Sequence, residues 1–171
     1  FHLSMQSGCD SVLARMNRKY DSERYYESVR LLNEAYETPG ITTDLIVGFP
    51  GETEEEFQQT LAFIRRCAFS AMHIFPYSRR PGTPADGMPG QILNSVKEER
   101  AHRAQQAALE MEAAYLDRWV GRTVPVLIEE ERDGLWQGHT TRYSEVAAPS
   151  GENLHNPVSY THPDAADERS S

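Results

Sequence analysis

Apolar residues recur at helical spacing in three stretches of this 171-residue chain. Tyr25, Val29, Leu32 and Tyr36 form one stripe, with Asp21 or Ser22 placed to cap its start and Pro39-Gly40 to end it. Phe57, Leu61, Ile64 and Ala68 form a second, opened by Thr53 and Glu56 in the spacing of a capping box. Ala104, Ala108, Met111, Tyr115 and Trp119 form a third, with Ser95 and Glu98 as a second capping box and Gly121 as its end. Val12, Leu13 and Met16 predict a short helix upstream. Short apolar runs alternate with these helices: the end of a strand at 1–3, a run at 45–47 that reads as buried on both faces, and another at 71–76. Strand, loop and helix in succession predict an α/β fold of parallel strands with crossover helices. After Gly121 the period changes to alternation. Residues 123–128 read as a β-branched strand, Asp133-Gly134 as a hairpin turn, and 135–138 and 141–146 as two further strands. This predicts the start of a small antiparallel barrel, a separate domain after residue 121.

In parallel α/β folds the loops at the carboxyl ends of strands carry the function. Three such loops are visible, at 4–9, 48–53 and 77–84, and all three fall on one face. Gly48 and Gly51 flank Pro50, so the second loop turns sharply. Glu52, Glu54, Glu55 and Glu56 put negative charge at a helix start, where a phosphate would otherwise be attracted. No G-x-G-x-x-G and no GK[ST] is present. The loop therefore predicts a neutral or cationic ligand, such as an adenosyl group bearing a sulfonium. A tight turn with capping carboxylates and no ligand accounts for the same residues equally well. On the third loop, Arg79 and Arg80 suit an anion or RNA phosphate as readily as a structural role, whereas Arg65 and Arg66 read as a solvated helix face.

The net charge of −9 argues against nonspecific nucleic-acid binding by the chain as a whole. Cys9 and Cys67 form no C-x-x-C and no C-x-x-x-C-x-x-C, so no metal or cluster motif is predicted, and sparse cysteine suggests a reducing, cytoplasmic setting. No apolar run approaches membrane-spanning length. Phe1 stands inside an apolar–polar pattern, which suggests a piece of a longer chain. His73, on an apolar strand, reads as a core histidine, and no histidine pair has ligand spacing. Trp136, His139, Arg142 and Tyr143 mix aromatic and basic groups, as a single-strand RNA surface does; ordinary strand packing gives the same pattern.

Assembled in order, these segments resemble the methylthiotransferases of the radical SAM superfamily. The matching stretches are HLSMQSGCDSVLARMNRKY (2–20), TTDLIVGFPGETEEEF (42–57) and HIFPYSRRPGTPA (73–85), with GLWQGHTTRY (134–143) matching their RNA-binding TRAM domain. HIFPYS and HLSMQSG look most like the branch that methylthiolates N6-threonylcarbamoyladenosine beside the tRNA anticodon. The branches acting on isopentenyl-adenosine and on a ribosomal protein are the alternatives, and a non-catalytic RNA-binding piece is a further one. The resemblance implies the later part of a partial TIM barrel over 1–121 and an incomplete TRAM domain over 122–157. It implies S-adenosylmethionine and two [4Fe-4S] clusters as cofactors, one cluster yielding a 5′-deoxyadenosyl radical and the other supplying sulfur. It implies the tRNA anticodon stem-loop and an electron donor such as flavodoxin as partners. Carried over by position, Gln6 and Ser7 lie near the ribose and methionine parts, Ile46, Val47, Gly48, Phe49 and Glu52 line the adenine, and Phe75, Pro76 and Tyr77 offer backbone hydrogen bonds to the adenine edge. Arg79, Arg80, Trp136, His139, Arg142 and Tyr143 are the corresponding RNA-binding candidates. The cluster cysteines are not in this sequence, so this polypeptide by itself is expected to be inactive. Residues 158–171 have no apolar periodicity, depart from the family, resemble translated adapter sequence, and predict disorder.

Overall fold

A six-residue strand, β1 (Thr42–Val47), anchors the first part of the chain. The computed structural model describes residues 1–142 and 144–154, and the backbone of 158–161. The chain divides into two units, Phe1–Ala113 and Ala114–Ser171.

In the first unit β1 pairs in parallel with β2 (Ala71–Pro76), in a register running from Thr42 opposite Ala71 to Val47 opposite Pro76. Residues 1–6 run along the other edge of β1. His2 and Gln6 bridge in parallel to Thr42 and Leu45, held by Leu3 N–H to Thr42 O and Gln6 N–H to Asp44 O, both 2.9 Å. Three chain segments thus lie side by side in one direction, the first of them held by isolated bridges. The connection from β1 to β2 is α3 (Glu54–Cys67), and α1 (Asp10–Arg15) and α2 (Ser22–Ala35) lie between the first segment and β1 in sequence.

The helices form for local reasons. Asp21 Oδ1 accepts from Arg24 N–H at 2.8 Å at the start of α2. Thr53 and Glu56 make the reciprocal capping box of α3. Ala68, expected on the buried stripe of α3, instead ends the helix in the left-handed conformation and is exposed; Cys67 and Phe69 take the buried places. The long helix α4 (Asn94–Leu116) begins one residue before Ser95, so Ser95 lies in its first turn rather than at the cap.

Strand β1 alternates instead of being buried on both faces. Thr43, Leu45 and Val47 are fully buried, while Thr42, Asp44 and Ile46 are half-buried. All three helices pack on the first of these faces: Tyr25 and Val29 from α2, Phe57, Leu61 and Ile64 from α3, and Ala104, Ala107 and Met111 from α4 surround Leu45 and Val47. Fully burying a side chain the size of Phe57 or Leu45 stabilises the fold by roughly 1.5–3 kcal/mol each. The other face of the sheet carries polar groups.

The second unit is an antiparallel sheet of β3 (Val124–Arg132), β4 (Leu135–Thr140), β5 (Glu145–Pro149) and β6 (Val158–Thr161), in the order β5-β4-β3-β6. Asp133 and Gly134, both with positive φ (52° and 81°), join β3 to β4, as a two-residue turn of matching twist requires. The third strand differs from expectation. Thr141 and Arg142 lie in the turn closed by Thr140 N–H to Ser144 O at 2.9 Å, and the strand starts at Glu145. Val124, Val126, Ile128 and Trp136 form the core here. Where the sequence predicts disorder from 158 onward, the backbone of Val158–Thr161 pairs with β3, from Leu127 opposite Val158 to Val124 opposite Thr161. No helix among the described residues is long and apolar enough to cross a membrane.

Candidate functional site

The ends of the three parallel segments come together. Phe49, after β1, meets Tyr77, after β2, with ring centroids 5.3 Å apart and near-perpendicular planes. Cys9, Val12 and Phe49 form a small buried cluster, and Met16, Tyr77, Ala85 and Met88 pack on it. Tyr77 N–H donates to Val47 O at 2.8 Å, so the third loop leaves the sheet alongside the second. Gln6, at the end of the first segment, has φ 70°, a left-handed conformation unusual for a side chain larger than glycine. Ser7 is buried and shares a 3.3 Å hydrogen bond with Thr60 of α3. Ile46 is half-buried, Phe75 and Pro76 are exposed, and Val47, Gly48, Phe49 and Glu52 are buried.

Three of the four glutamates of the acidic loop are paired with arginines. Glu52 accepts from Gly48 N–H at 2.7 Å and from Arg100 Nη1 at 2.8 Å. Burial pushes its carboxyl up, against the pull of these two partners. Glu54 accepts from Arg103 Nη2 at 2.7 Å. Glu56 accepts from Arg15 through both oxygens, at 2.9 and 2.5 Å, and Arg15 pulls its carboxyl down to about 2. Arginines from α1 and α4 therefore pair with three of the four glutamates, which leaves Glu55 exposed at the helix start. Chain order hides those partners, since Arg100 lies 48 residues from Glu52.

Lys97 adds a cation. Its stem crosses Gly48, with Cγ 2.5 Å from where a β-carbon on Gly48 would stand. Gly48, at φ 71°, is therefore required twice over, by its backbone and by this crossing. Lys97 is 6% exposed, and its Nζ lies 5.4 Å from the centre of the Tyr77 ring.

On the open face of the sheet a second group of polar side chains assembles. His2 lies 3.0 Å from Thr42 Oγ1 through Nδ1, and through Nε2 3.1 Å from both Ser4 Oγ and Asp44 Oδ2. Ser4 Oγ donates to the same Asp44 oxygen at 2.9 Å. Burial pushes the Asp44 carboxyl up, but Ser4 and His2 together outweigh it and hold the group below the usual carboxylate range. His73, expected in the core, is exposed on this face opposite Asp44, its ring 6.3 Å from that of His2. The apolar neighbours of His73 in sequence suggested burial. Register decides otherwise, because every second residue of β2 points away from the helices.

The remaining candidates are dispersed. Arg79 donates to Asp86 Oδ1 at 2.8 Å, and Arg80 is exposed. In the second unit Trp136 is buried in the sheet core rather than displayed as a stacking platform. His139 is 3.0 Å from Glu129, and the Arg142 guanidinium lies 4.4 Å from the centre of the Trp119 ring. Tyr143 lies outside the described residues.

The radical SAM superfamily matches residues 1–64. The threonylcarbamoyladenosine tRNA methylthiotransferase MtaB of Bacillus subtilis is 38% identical over 158 residues, which cover 90% of this chain and 35% of that protein. The chain matches the radical SAM superfamily and is similar over most of its length to methylthiotransferases of that superfamily. Two tRNA-2-methylthio-N(6)-dimethylallyladenosine synthases are also similar. That of Bacillus pumilus is 46% identical over 130 residues (76% of this chain, 26% of the relative), and that of Thermus thermophilus is 40% identical over 153 residues (88% and 33%). The chain thus spans about a third or less of the length of these relatives.

Methylthiotransferase chemistry requires an iron–sulfur cluster, and this segment's own residues do not fit one. Among the described residues no three His, Cys, Asp or Glu side chains come together to hold a metal. Cys9 is buried, with its Sγ 3.2 Å from both Ser11 Oγ and Gln59 Oε1. Cys67 is buried in the helix-facing core, which pushes its thiol up to about 12, the opposite of a ready thiolate ligand. At the convergent loops stand the exposed Phe75 and Pro76, the half-buried Ile46 and Tyr77, and the left-handed backbone at Gln6.

Proposed function

We propose that this chain is the segment of a tRNA methylthiotransferase that seats S-adenosylmethionine at the ends of its parallel strands. The single observation that carries the reading is the meeting of the three loops through Phe49, Tyr77 and Cys9. S-Adenosylmethionine with an iron–sulfur cluster supplies radical chemistry in this superfamily. The part left to residues of this chain is positioning. Ile46 and Phe75, opposite each other in register, present an apolar edge for a purine, and Gln6 and Ser7 stand where the ribose would lie. Units 1–113 and 114–171 correspond in this reading to the later part of the barrel and to TRAM strands that guide the anticodon stem-loop, with Arg80, His139 and Arg142 as RNA contacts. An electron donor of the flavodoxin kind and a cytoplasmic setting follow from the same reading.

The preferred substrate is N6-threonylcarbamoyladenosine. The match to MtaB over 90% of the chain supports it, as does a polar open face bearing His2, Asp44 and His73, which offers hydrogen-bond partners to a polar substituent. Nucleoside mass spectrometry of tRNA from a strain lacking the encoding gene is the test. Loss of 2-methylthio-N6-threonylcarbamoyladenosine is expected. Loss of the 2-methylthio derivative of dimethylallyladenosine instead reassigns the substrate, and an unchanged nucleoside profile overturns the function.

A further inference from the structure

We propose that Lys97 and Tyr77 form a seat for an anionic oxygen group at the mouth of the parallel sheet, the bound group being a phosphate of the RNA substrate. The inference rests on reading that mouth as the ligand site.

Two polar groups there lack partners. The stem of Lys97 is buried, and its ammonium, which reaches the surface, makes no hydrogen bond or ion pair among the described residues. Its only neighbour of note is the Tyr77 ring, 5.4 Å from Nζ. The hydroxyl of that same Tyr77 is buried and also has no hydrogen-bond partner among the described residues. An unsatisfied buried hydroxyl is costly, and a surface cation with no carboxylate beside it is free to pair with an anion. A buried hydroxyl without a partner beside an unpaired cation, at the ends of parallel strands, fits a site completed by a ligand.

The architecture directs Lys97 to this position. Its stem passes through space that exists only because residue 48 is glycine. The nearby carboxylates are occupied elsewhere: Glu52 by Arg100, Glu54 by Arg103, and Glu56 by Arg15. The ammonium has no carboxylate partner among the described residues, and it offers N–H donors beside a Tyr77 hydroxyl that can also donate. A ligand bearing acceptor oxygens and negative charge is complementary. Arg80, three residues beyond Tyr77 on the same loop, is exposed and extends the positive charge outward, which suits a chain of phosphates. The carboxylate of an amino-acid ligand shares the chemistry and is the other source.

The test uses the full chain with lysine ammonium resonances followed by NMR during titration with inorganic phosphate, S-adenosylhomocysteine, or a short RNA stem-loop. Saturable shifts of the Lys97 resonance with phosphate and RNA are expected. Lys97→Met should weaken RNA binding by about ten-fold or more, the scale of one charge-assisted hydrogen bond, with Lys97→Arg retaining most of it. Tyr77→Phe, which keeps the ring packing on Phe49, should weaken binding by about three- to ten-fold. A response to S-adenosylhomocysteine alone overturns the RNA assignment in favour of a carboxylate. Binding of all three probes that is indifferent to both positions, or no response at Lys97, overturns the seat. The enzyme reading is judged separately by the tRNA nucleosides, so either can fail without the other.

Discussion

Arg100 Nη1 meets Glu52 Oε2 at 2.8 Å, with the two side chains only 6% and 1% exposed, and this pair ties the loop after β1 to the long helix α4. The same guanidinium nitrogen donates to the Glu52 carbonyl at 3.0 Å, and Glu52 in turn receives Gly48 N–H. One carboxylate thus fixes both ends of the turn from Gly48 to Glu52. Removing Arg100 strands a buried charge, so Arg100→Ala should cost about 3–5 kcal/mol of stability. Pairing it with Glu52→Gln should recover part of the loss. Urea denaturation reads both; an Arg100→Ala protein as stable as the parent rules out the clamp.

The pair Arg15–Glu56 makes a prediction about acid. Glu56 is held at about 2, below its ordinary 4.5, chiefly by the Arg15 hydrogen bonds. A depressed carboxylate contributes stability that is fully present above its unfolded value and is lost as pH falls through the folded one. This contribution should therefore fade between pH about 4.5 and about 2. In Glu56→Gln the decline across that window should be shallower, measured as urea midpoint against pH.

Gly48 and Gly51 both have positive φ, but only Gly48 lies under a side chain at clashing distance. Gly51→Ala should cost about 1 kcal/mol for its backbone alone. Gly48→Ala adds a clash with Lys97 and should cost about 2–4 kcal/mol. Lys97→Ala should relieve part of the second penalty and none of the first. Thermal melts of the three single variants and of the Gly48→Ala/Lys97→Ala double mutant form the cycle.

The two cysteines make a prediction about metal. With Cys9 and Cys67 both buried and no third ligand beside either among the described residues, anaerobic reconstitution of this chain with iron and sulfide should give no iron–sulfur absorbance. Cys67 should react with a thiol reagent only as the protein unfolds, since burial pushes its thiol up to about 12. A stable brown species that survives desalting would falsify the expectation.

The local steps of the fold were legible in the chain. Thr53 with Glu56, Asp21 with Arg24, and Asp133-Gly134 are decided between near neighbours, because caps and turns satisfy backbone groups with whatever stands next to them. The stripes on α2, α3 and α4 follow from helical period alone; they name Tyr25, Val29, Phe57, Leu61, Ile64, Ala104 and Met111 of the first core, while Tyr36 and Ala68 of the same stripes are exposed. Family resemblance, carried by contiguous motifs, was legible for the same reason.

What the tertiary structure alone decided was the charge and exposure of the site. The glutamates at 52, 54, 55 and 56 read as a repulsive cluster, until Arg15 and Arg100 arrive from 41 and 48 residues away. His73 reads as core, until the register of β2 turns it to the face that no helix covers. Trp136 reads as a platform, until it joins Val124, Val126 and Ile128 of β3 in the core of the second unit. Hydrophobic period and capping are properties of neighbours along the chain; ion pairing, burial and the direction of a strand's faces are properties of neighbours in space, which sequence distance does not encode.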